Sequence, residues 1–260
     1  MILNILKKIK NVIRFNLLKK NYKKEEFEEK QDKKFQELGF NRKDGLIELN
    51  QIRNQNNFLN RNMSSEHEVL FSAISKKNQK EIKNILEIGT YDAVNSFLLA
   101  TLFENANVHT IDLPDTDQKF KQTYNRSNNV NEFISKRNEI ISKKKNIKFK
   151  QINSIHLTNY KEKFDLIWID GAHGYPMVSI DIVNSLKLLN KNGIIMCDDV
   201  FMFKPSEQDS IYKSIATYET LEVLKNQNII SLKFIYKRLD ALNNCDPKIR
   251  KFVSFVKKND

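Results

Sequence analysis

The chain has 260 residues, with 44 Lys and Arg against 32 Asp and Glu, and a formal net charge of +12. This length allows one large domain, or a domain with an arm, around a single core. No stretch approaches the ~20 apolar residues of a membrane span, and Cys197 and Cys245 form no C-x-x-C pair typical of structural zinc. We therefore expect a reduced, cytoplasmic protein whose scattered Lys residues form a solvated surface.

The N-terminal segment, residues 1–24, is basic and predicts an amphipathic helix. Its apolar residues recur at helical spacing, at Ile2, Leu6, Ile9, Ile13 and Leu17. Such a helix could lie on an anionic membrane surface, or it could dock on its own domain or on a second copy in a homo-oligomer. Residues 25–62 are rich in Glu, Lys, Gln and Asn, which indicates short helices and loops. We predict a helical arm over 1–62 and a main domain over 63–260.

From residue 64 the pattern alternates between helices and strands. Ser65 and Glu68 form a capping-box pattern, which predicts the start of a helix. Apolar runs predict five strands, at residues 85–88, 108–111, 147–152, 164–169 and 194–197. Between the last two runs we predict a helix from Pro176 to an end marked by Gly193. Apolar strands that alternate with helices indicate a parallel sheet covered on both faces.

The end of the chain breaks this alternation. Two strand-like runs, "IISLKFIYKRL" and "RKFVSFVKK", follow each other without a predicted helix between them. They predict a hairpin, in which one strand is antiparallel to the rest of the sheet. The predicted fold class is therefore α/β, a Rossmann-like, seven-stranded, mostly parallel sheet with an antiparallel strand in its C-terminal hairpin.

Residues suited to ligand binding follow the predicted strands. In an open parallel sheet, ligands bind beyond the carboxyl ends of the strands. The five strands end in "LEIGTYDAVNS", "TIDLPD", "INSIH", "IDGAHGY" and "CDDV", in chain order. Gly89 allows the backbone to approach a ligand closely, and Asp112 can accept hydrogen bonds from both hydroxyls of a ribose. Together they indicate a ligand that contains a nucleoside.

A dinucleotide-dependent enzyme is the first alternative. Such enzymes carry G-x-G-x-x-G, which brings a pyrophosphate onto the helix N-terminus. Here the first loop has one glycine, Gly89, and Glu87 stands two residues before it. Because this carboxylate would repel phosphate, a cationic ligand without phosphates fits better.

The combined motifs resemble those of a known family. E-x-G after the first strand, an acid after the second and D-G-A-H-x-Y after the fourth resemble class I S-adenosylmethionine-dependent methyltransferases. They are most similar to the small-molecule O-methyltransferases of the catechol and macrocin type, over residues 64–258. The resemblance implies a Rossmann-like class I methyltransferase fold, S-adenosylmethionine as cofactor and a small-molecule substrate.

The resemblance also implies which residues bind the cofactor. These are Glu87, Gly89, Tyr91, Asp112, Asn153, Ser154, Asp170 and Gly171. The methionine part would meet Glu87 and Gly89, and the ribose would meet Asp112. The adenine edge would lie beside Asn153 and Ser154.

Two catalytic residues follow from the same resemblance. Asp170 and His173 would face the sulfonium and the substrate, with His173 as the base. The chain departs from the family pattern at Ala93, where a second glycine is usual, and at Asn95, where a serine is usual. Asn153 stands where an Asp is common. These departures put the tightness of cofactor binding in question.

Three aspartates are candidates for a metal site. Asp170, Asp198 and Asp199 follow two neighbouring strands, and their oxygen atoms suit Mg²⁺. Metal-dependent members of the resembled group use an Asp after strand four and an Asp-Asp or Asp-Asn pair after strand five. Three close carboxylates would repel one another, so a cation or a shared proton is expected. The alternative is that Asp198 and Asp199 only cap their own loop.

The predicted function is methyl transfer from S-adenosylmethionine to a hydroxyl oxygen of a small molecule or a sugar. RNA methylation is a second reading, prompted by the net charge. It ranks lower because no basic stripe is interleaved with aromatic residues near the motifs, so no nucleic-acid partner is expected. A third reading is a protein that binds the cofactor without catalysis, which only Ala93 and Asn95 support.

Overall fold

The computed structural model describes residues 13–60, 65–123, 129–203 and 214–259. The strands in these ranges are β1 (Asn84–Ile88), β2 (Asn107–Asp112), β3 (Ile147–Gln151), β4 (Phe164–Ile169), β5 (Leu189–Phe201), β6 (Ile230–Tyr236) and β7 (Lys251–Lys258). The helices are α1 (Lys24–Glu37), α2 (Arg42–Gln55), α3 (Glu66–Asn78), α4 (Val94–Leu102), α5 (Gln118–Gln122), α6 (Val130–Ser142), α7 (Met177–Leu188), α8 (Ala216–Asn226) and α9 (Ala241–Asn244). Residues 13–20 are also helical. No helix within the described ranges is long and apolar enough to span a membrane.

The seven strands form one sheet in the order β3-β2-β1-β4-β5-β7-β6. Strands β1 to β5 are parallel to one another, whereas β7 runs antiparallel to both of its neighbours, β5 and β6. The predicted α/β class, with an antiparallel strand in the final hairpin, is therefore confirmed. The strand order reverses between β1 and β4, and this switch point is where open α/β sheets bind ligands.

The sheet is buried on both faces. On β4, Leu166 and Trp168 belong to one apolar cluster, and Ile167 and Ile169 belong to another. Successive side chains of a strand point to opposite faces. A strand that is covered on both sides must therefore be apolar throughout, which explains the continuous runs in the sequence.

The segment before the sheet is more regular than predicted. Residues 25–62 were expected to form short helices and loops, but α1 and α2 each have 14 residues. Few of their residues are apolar, yet Phe35 and Leu49 are 0% and 1% exposed, in the same cluster as Trp168. Because α1 and α2 share their core with the sheet, the described part of the arm packs as an extension of the main domain.

The N-terminal part of the predicted basic helix, residues 1–12, lies outside the described residues. Residues 13–20 are helical, as predicted for this segment. Ile13 and Leu17 are 55% and 62% exposed. The described part of this helix therefore leaves two apolar side chains uncovered.

The capping box predicted at Ser65 and Glu68 is not formed. Ser65 precedes α3 with an extended backbone, but its hydroxyl makes no bond to the helix backbone. It lies 2.7 Å from Nδ1 of His67 instead. Glu68 pairs with Arg53 of α2. Both side chains thus have tertiary partners that the local sequence pattern does not reveal.

The predicted end of the helix at Gly193 is also wrong. Helix α7 ends at Leu188, and β5 begins at once with Leu189, which pairs with Phe164 of β4. Gly193 lies inside β5, where a Cβ atom would come within 2.8 Å of the Leu189 side chain. This glycine therefore makes room for a neighbouring side chain rather than ending a helix.

Candidate active site

Gly89 brings the loops after β1 and β4 into backbone contact. Its φ of +104° is unfavourable for residues with a side chain, and a Cβ atom would lie 2.3 Å from the Asp170 carbonyl oxygen. The Asp170 N–H donates to the Ile88 carbonyl at 2.9 Å. Gly171 differs, since a Cβ atom there would meet Ile88 at an ordinary 3.6 Å. Of these two glycines, only Gly89 is required by the local packing.

Glu87 connects β1 to α4 and β2 through hydrogen bonds. Its side chain is fully buried, and it accepts hydrogen bonds from Asn95 at 2.8 Å, from Thr110 at 2.6 Å and from Ser96. Burial raises the pKa of Glu87 to about 7, and the three hydrogen bonds offset part of this effect. The departure at Asn95 thus supplies a donor to Glu87, and both Glu87 oxygens are engaged within the protein.

The loop between β1 and α4 contains two left-handed residues. Tyr91 and Ala93 have φ values of 48° and 62°. Ala93 is fully buried directly before α4, so the small side chain fits where the family has a second glycine. Asp92 accepts a hydrogen bond from the Val94 N–H at 3.1 Å. A carboxylate therefore occupies the α4 N-terminus, where a dinucleotide enzyme would hold phosphate, which disfavours the dinucleotide alternative.

Asp112 faces this loop from the end of β2. One carboxylate oxygen accepts from the Tyr91 N–H at 2.9 Å and the other from the Leu113 N–H at 2.8 Å. The side chain is partly exposed. The backbone thus fixes the orientation of a carboxylate beside Gly89 at the switch point, where it was predicted to bind a ribose.

Asn153 and Ser154 lie after β3. The Asn153 side chain accepts from the Ile155 N–H at 3.0 Å and begins a short 3₁₀ helix, Ser154–Asn159. Asn153 therefore supports the turn with its carbonyl oxygen, as an Asp would. Their role at the adenine edge stays a prediction.

Asp181 of α7 is a buried carboxylate that the sequence analysis missed. It is 2% exposed, and burial raises its pKa to about 6, although a hydrogen bond from Ser154 lowers it in part. Its Oδ1 atom has no hydrogen-bond partner among the described residues. No sequence signal distinguishes Asp181 from a solvated residue of an amphipathic helix.

We expect Asp181→Asn to stabilise the protein at neutral pH. The folded-state pKa of about 6 exceeds the ordinary value of 3.8, so the wild type loses stability as the pH rises through this range. The loss is ~3 kcal/mol for about two pKa units. Thermal unfolding should show little difference between the proteins at pH 3.5, below the ordinary pKa, and a higher Tm for the variant at pH 7.5. An equal difference at both pH values would contradict the assignment.

The two aspartates near the end of β5, at the irregularity between Cys197 and Val200, converge on a lysine. Lys237, directly after β6, places its Nζ atom 2.6 Å from Oδ2 of Asp198 and also in contact with Oδ1 of Asp199. Lys251 lies 2.5 Å from the second oxygen of Asp199. Asp198 and Lys237 are 3% and 7% exposed. The predicted cation beside these carboxylates is therefore an ammonium group of the chain itself.

The predicted magnesium set of Asp170, Asp198 and Asp199 is not formed. Within the described residues, no three His, Cys, Asp or Glu side chains are arranged to hold a metal ion. The reason is that Lys237 fills the space to which Asp198 and Asp199 point. The carboxylates present do not fit a metal while this lysine is in place.

Charge pairing decides the ionisation of this cluster. Burial alone would raise the pKa of Asp198 and Asp199, but Lys237 outweighs it and holds both pKa values below the ordinary value. Lys251 contributes to the effect on Asp199. Burial would lower the pKa of Lys237, yet the carboxylates raise it above its ordinary value. All three groups are therefore charged at neutral pH.

His173 and Asp170 are neighbours, as their predicted catalytic roles require. The His173 Nε2 atom lies 3.6 Å from Oδ1 of Asp170. Burial lowers the pKa of His173, while the carboxylates of Asp199 and Asp198 partly offset this. Burial raises the pKa of Asp170, and the charge of Asp198 adds to the effect. The imidazole is therefore neutral at neutral pH and can accept a proton.

Lys237 is the main component of the site that sequence reasoning missed. It stands in "FIYKRL", one of 44 basic residues in a chain where Lys is common. The acidic pair itself indicated that a cation would lie beside it. The sequence could not identify this cation as Lys237, because the contact depends on the antiparallel hairpin at the end of the sheet.

Comparison with known proteins provides independent information. A family model described as a methyltransferase domain matches residues 86–200, which include every predicted site residue. Among curated proteins, no sequence matches the chain. The fold is similar to that of a putative O-methyltransferase from Klebsiella pneumoniae, with a TM-score of 0.54 and 14% identity over 82% of this chain and 90% of that one.

Two further solved structures have the same fold. An O-methyltransferase from Bacillus cereus, in complex with SAH, has a TM-score of 0.51 and 18% identity over 83% of this chain and 90% of that chain. The O-methyltransferase TomG from Streptomyces achromogenes, in complex with SAM, has a TM-score of 0.55 and 14% identity over the same shares, 83% and 90%. At these identities, the similarity establishes the fold.

Proposed function

Because a family model described as a methyltransferase domain matches residues 86–200, and O-methyltransferases of known structure share the fold, we propose that the protein transfers a methyl group from S-adenosylmethionine to an oxygen atom of a small molecule. The observation that carries this proposal is the contact of Gly89 with the Asp170 backbone beside the Asp112 carboxylate. Solved structures of the same fold, described as O-methyltransferases in complex with SAM or SAH, support the choice of cofactor and of acceptor atom.

The cofactor is proposed to bind across the ends of β1, β2 and β4. Gly89 leaves room for close approach of the methionine part, and Asp112 accepts the ribose hydroxyls. Asn153 and Ser154 border the adenine. Glu87 braces the loop from beneath through its three hydrogen bonds. Carboxylates predominate here, and they suit a sulfonium cation better than a phosphate.

The chemical step needs in-line alignment and removal of one proton. When bound, S-adenosylmethionine supplies an electrophilic methyl group on a positively charged sulfur. His173 takes the proton from the acceptor hydroxyl as the new O–CH₃ bond forms and the S–CH₃ bond breaks. The electron pair of the broken bond stays on sulfur. Asp170 lies 3.6 Å from the imidazole, beside the imidazolium that results.

Asp112→Ala is expected to weaken the binding of S-adenosylmethionine at least ~100-fold. Two charge-assisted hydrogen bonds of roughly 1.5–3 kcal/mol each are lost, and ~1.4 kcal/mol corresponds to a factor of ten. Isothermal titration of the wild type and the variant measures the change. Glu104→Ala removes an exposed acid just after α4, at the opposite end of the sheet, and should leave the affinity unchanged. An unchanged affinity for Asp112→Ala would remove the ribose assignment.

We also propose that the basic N-terminal segment, residues 1–24, contacts anionic membranes peripherally. Ile13 and Leu17 are more than half exposed, and Lys19 and Lys20 follow them on the same helix. Tyr22 donates a hydrogen bond to the Leu239 carbonyl, so the segment is anchored to the domain at its end.

Deletion of residues 1–20 tests this proposal and keeps Tyr22. The full chain should co-sediment with vesicles that contain phosphatidylglycerol, and the truncated chain should not. Affinity for S-adenosylmethionine should change less than about twofold, because every proposed ligand follows β1. If truncation instead changes only the oligomeric state, the segment joins two copies of the chain and the membrane proposal fails.

A further inference from the structure

Lys237 is one of the most deeply buried charges of the described structure. Its side chain is 8% exposed, and its ammonium group contacts a carboxylate oxygen of both Asp198 and Asp199. Moving an ammonium group out of water is costly unless it is paired. Lys237 can therefore remain at this position only because two ionised carboxylates hold it.

The position of this ammonium coincides with the candidate metal site. Ile169 of β4 pairs with Cys197 of β5, so Asp170 and Asp198 follow at the same level of two adjacent strands. The second oxygen of Asp198, Oδ1, is buried and has no hydrogen-bond partner among the described residues. His67 Nδ1 lies 4.0 Å from this oxygen, beyond hydrogen-bond distance. A carboxylate that keeps one oxygen unpaired still has coordination capacity.

Hydrogen bonds from neighbouring elements hold the backbone around Lys237. Its N–H donates to the Lys251 carbonyl at 3.0 Å, and its carbonyl accepts from the Glu66 N–H at 2.8 Å. Gln31 of α1 bonds both the N–H and the carbonyl of Tyr236, each at 3.0 Å. The ends of α3 and β7 and the middle of α1 thus fix the backbone that carries this side chain.

We propose that Lys237 is the resident cation of the active site, taking the place that a divalent metal would take between Asp170 after β4 and the two aspartates of β5. Lys237 is a positioning residue: it neutralises Asp198 and Asp199 and keeps their carboxylates beside Asp170 and His173. Methyl transfer in this protein then needs no added metal, which rests on the proposed function. The placement of the cation does not depend on that function.

The test compares two substitutions that both remove the charge but leave different space. In Lys237→Ala a hydrated ion can enter, whereas in Lys237→Met the side chain still fills the volume. Chelator-treated full-length proteins are titrated with Mn²⁺ by calorimetry. Lys237→Ala should bind at least tenfold more tightly than the wild type, and near-saturating Mn²⁺ should raise its Tm by ~5 °C. Lys237→Met and Lys237→Arg should resemble the wild type in Mn²⁺ affinity.

A second substitution locates the ion. Adding Asp198→Asn to Lys237→Ala should abolish the gained Mn²⁺ binding. The proposal is overturned if the wild type binds Mn²⁺ as tightly as Lys237→Ala and loses this binding in Asp198→Asn. It is also overturned if folded Lys237→Ala binds no more tightly than the wild type. Should Lys237→Ala not fold, Lys237→Ser, whose small side chain also leaves room for an ion, takes its place in the same comparison.

The proposed function is tested separately on the same proteins. S-adenosylmethionine is titrated into the wild type without metal. If no binding occurs while Lys237→Ala gains Mn²⁺ affinity, the methyltransferase proposal fails and the cation assignment stands. If S-adenosylmethionine binds but Lys237→Ala gains no affinity for Mn²⁺, only the cation assignment fails.

Discussion

Gly89→Ala is expected to cost at least ~3 kcal/mol of stability and to reduce S-adenosylmethionine affinity more than ~100-fold. A φ of +104° strains any residue with a side chain, and the new Cβ atom would stand 2.3 Å from the Asp170 carbonyl oxygen. Strained backbone conformations cost ~1–3 kcal/mol, and the clash adds to this because both partners are backbone atoms. Relief requires the loops after β1 and β4 to separate, and both are proposed to hold the cofactor.

Gly171→Ala is the matched control for this prediction. It adds the same methyl group at the residue directly after Asp170, where the nearest atom, of Ile88, lies at 3.6 Å. Its Tm should stay within ~2 °C of the wild type. Denaturation of both variants, followed by calorimetric titration with S-adenosylmethionine, measures the two effects. If Gly89→Ala is as stable as Gly171→Ala, the backbone contact does not constrain the site.

The sequence predicted the sheet well for a definite physical reason. A parallel strand that is covered on both faces is mostly apolar. β4 shows such a run, and the buried positions of β1 and β2 are apolar apart from Glu87, His109 and Thr110. The hairpin of β6 and β7 was equally clear because no helix pattern separates the two runs. Helices α1 and α2 were not foreseen, since each buries only a few apolar side chains in an otherwise polar surface.

The proposed site also contains some residues that the sequence predicted and others that it did not. Gly89, Asp112, Asp170 and His173 follow directly from strand ends, because topology alone brings these positions to one edge of the sheet. Partners that come from distant segments could not be predicted. Lys237 reaches the acidic pair from 38 residues away along the chain, and no local pattern encodes that contact.

Tertiary contacts also explain why the capping box predicted at Ser65 did not form. The pattern was correct for the start of α3, but Ser65 bonds His67, whose ring lies 4.7 Å from that of Trp168. Helix-start patterns describe local preferences of 0.5–2 kcal/mol. Tertiary contacts of similar strength can therefore redirect the side chains without moving the helix.

Among the lysines that contact the acidic pair, Lys237 is expected to contribute more to the free energy of unfolding than Lys251. Lys237→Met keeps most of the side-chain volume but leaves Asp198, 3% exposed, and Asp199 without their shared cation. Breaking a buried ion pair by removing one partner costs ~3–5 kcal/mol. Lys251→Met is the control: its side chain is 24% exposed and contacts only Asp199 of the pair, so ~1 kcal/mol is expected. Denaturant unfolding at pH 7.5 measures both.

A double-mutant cycle separates loss of the pair from loss of packing. Asp198→Asn in the Lys237→Met background removes the uncompensated charge, so it should restore a large part of the lost stability, although the same substitution destabilises the wild type. The resulting coupling energy should reach ~2–3 kcal/mol, near the upper end for residues in direct contact. A coupling near zero would mean that Lys237 does not stabilise the fold through its pairing with Asp198. In that case the acidic pair would have to find its neutralising charge elsewhere, and Lys251 and His67 would be the next residues to substitute.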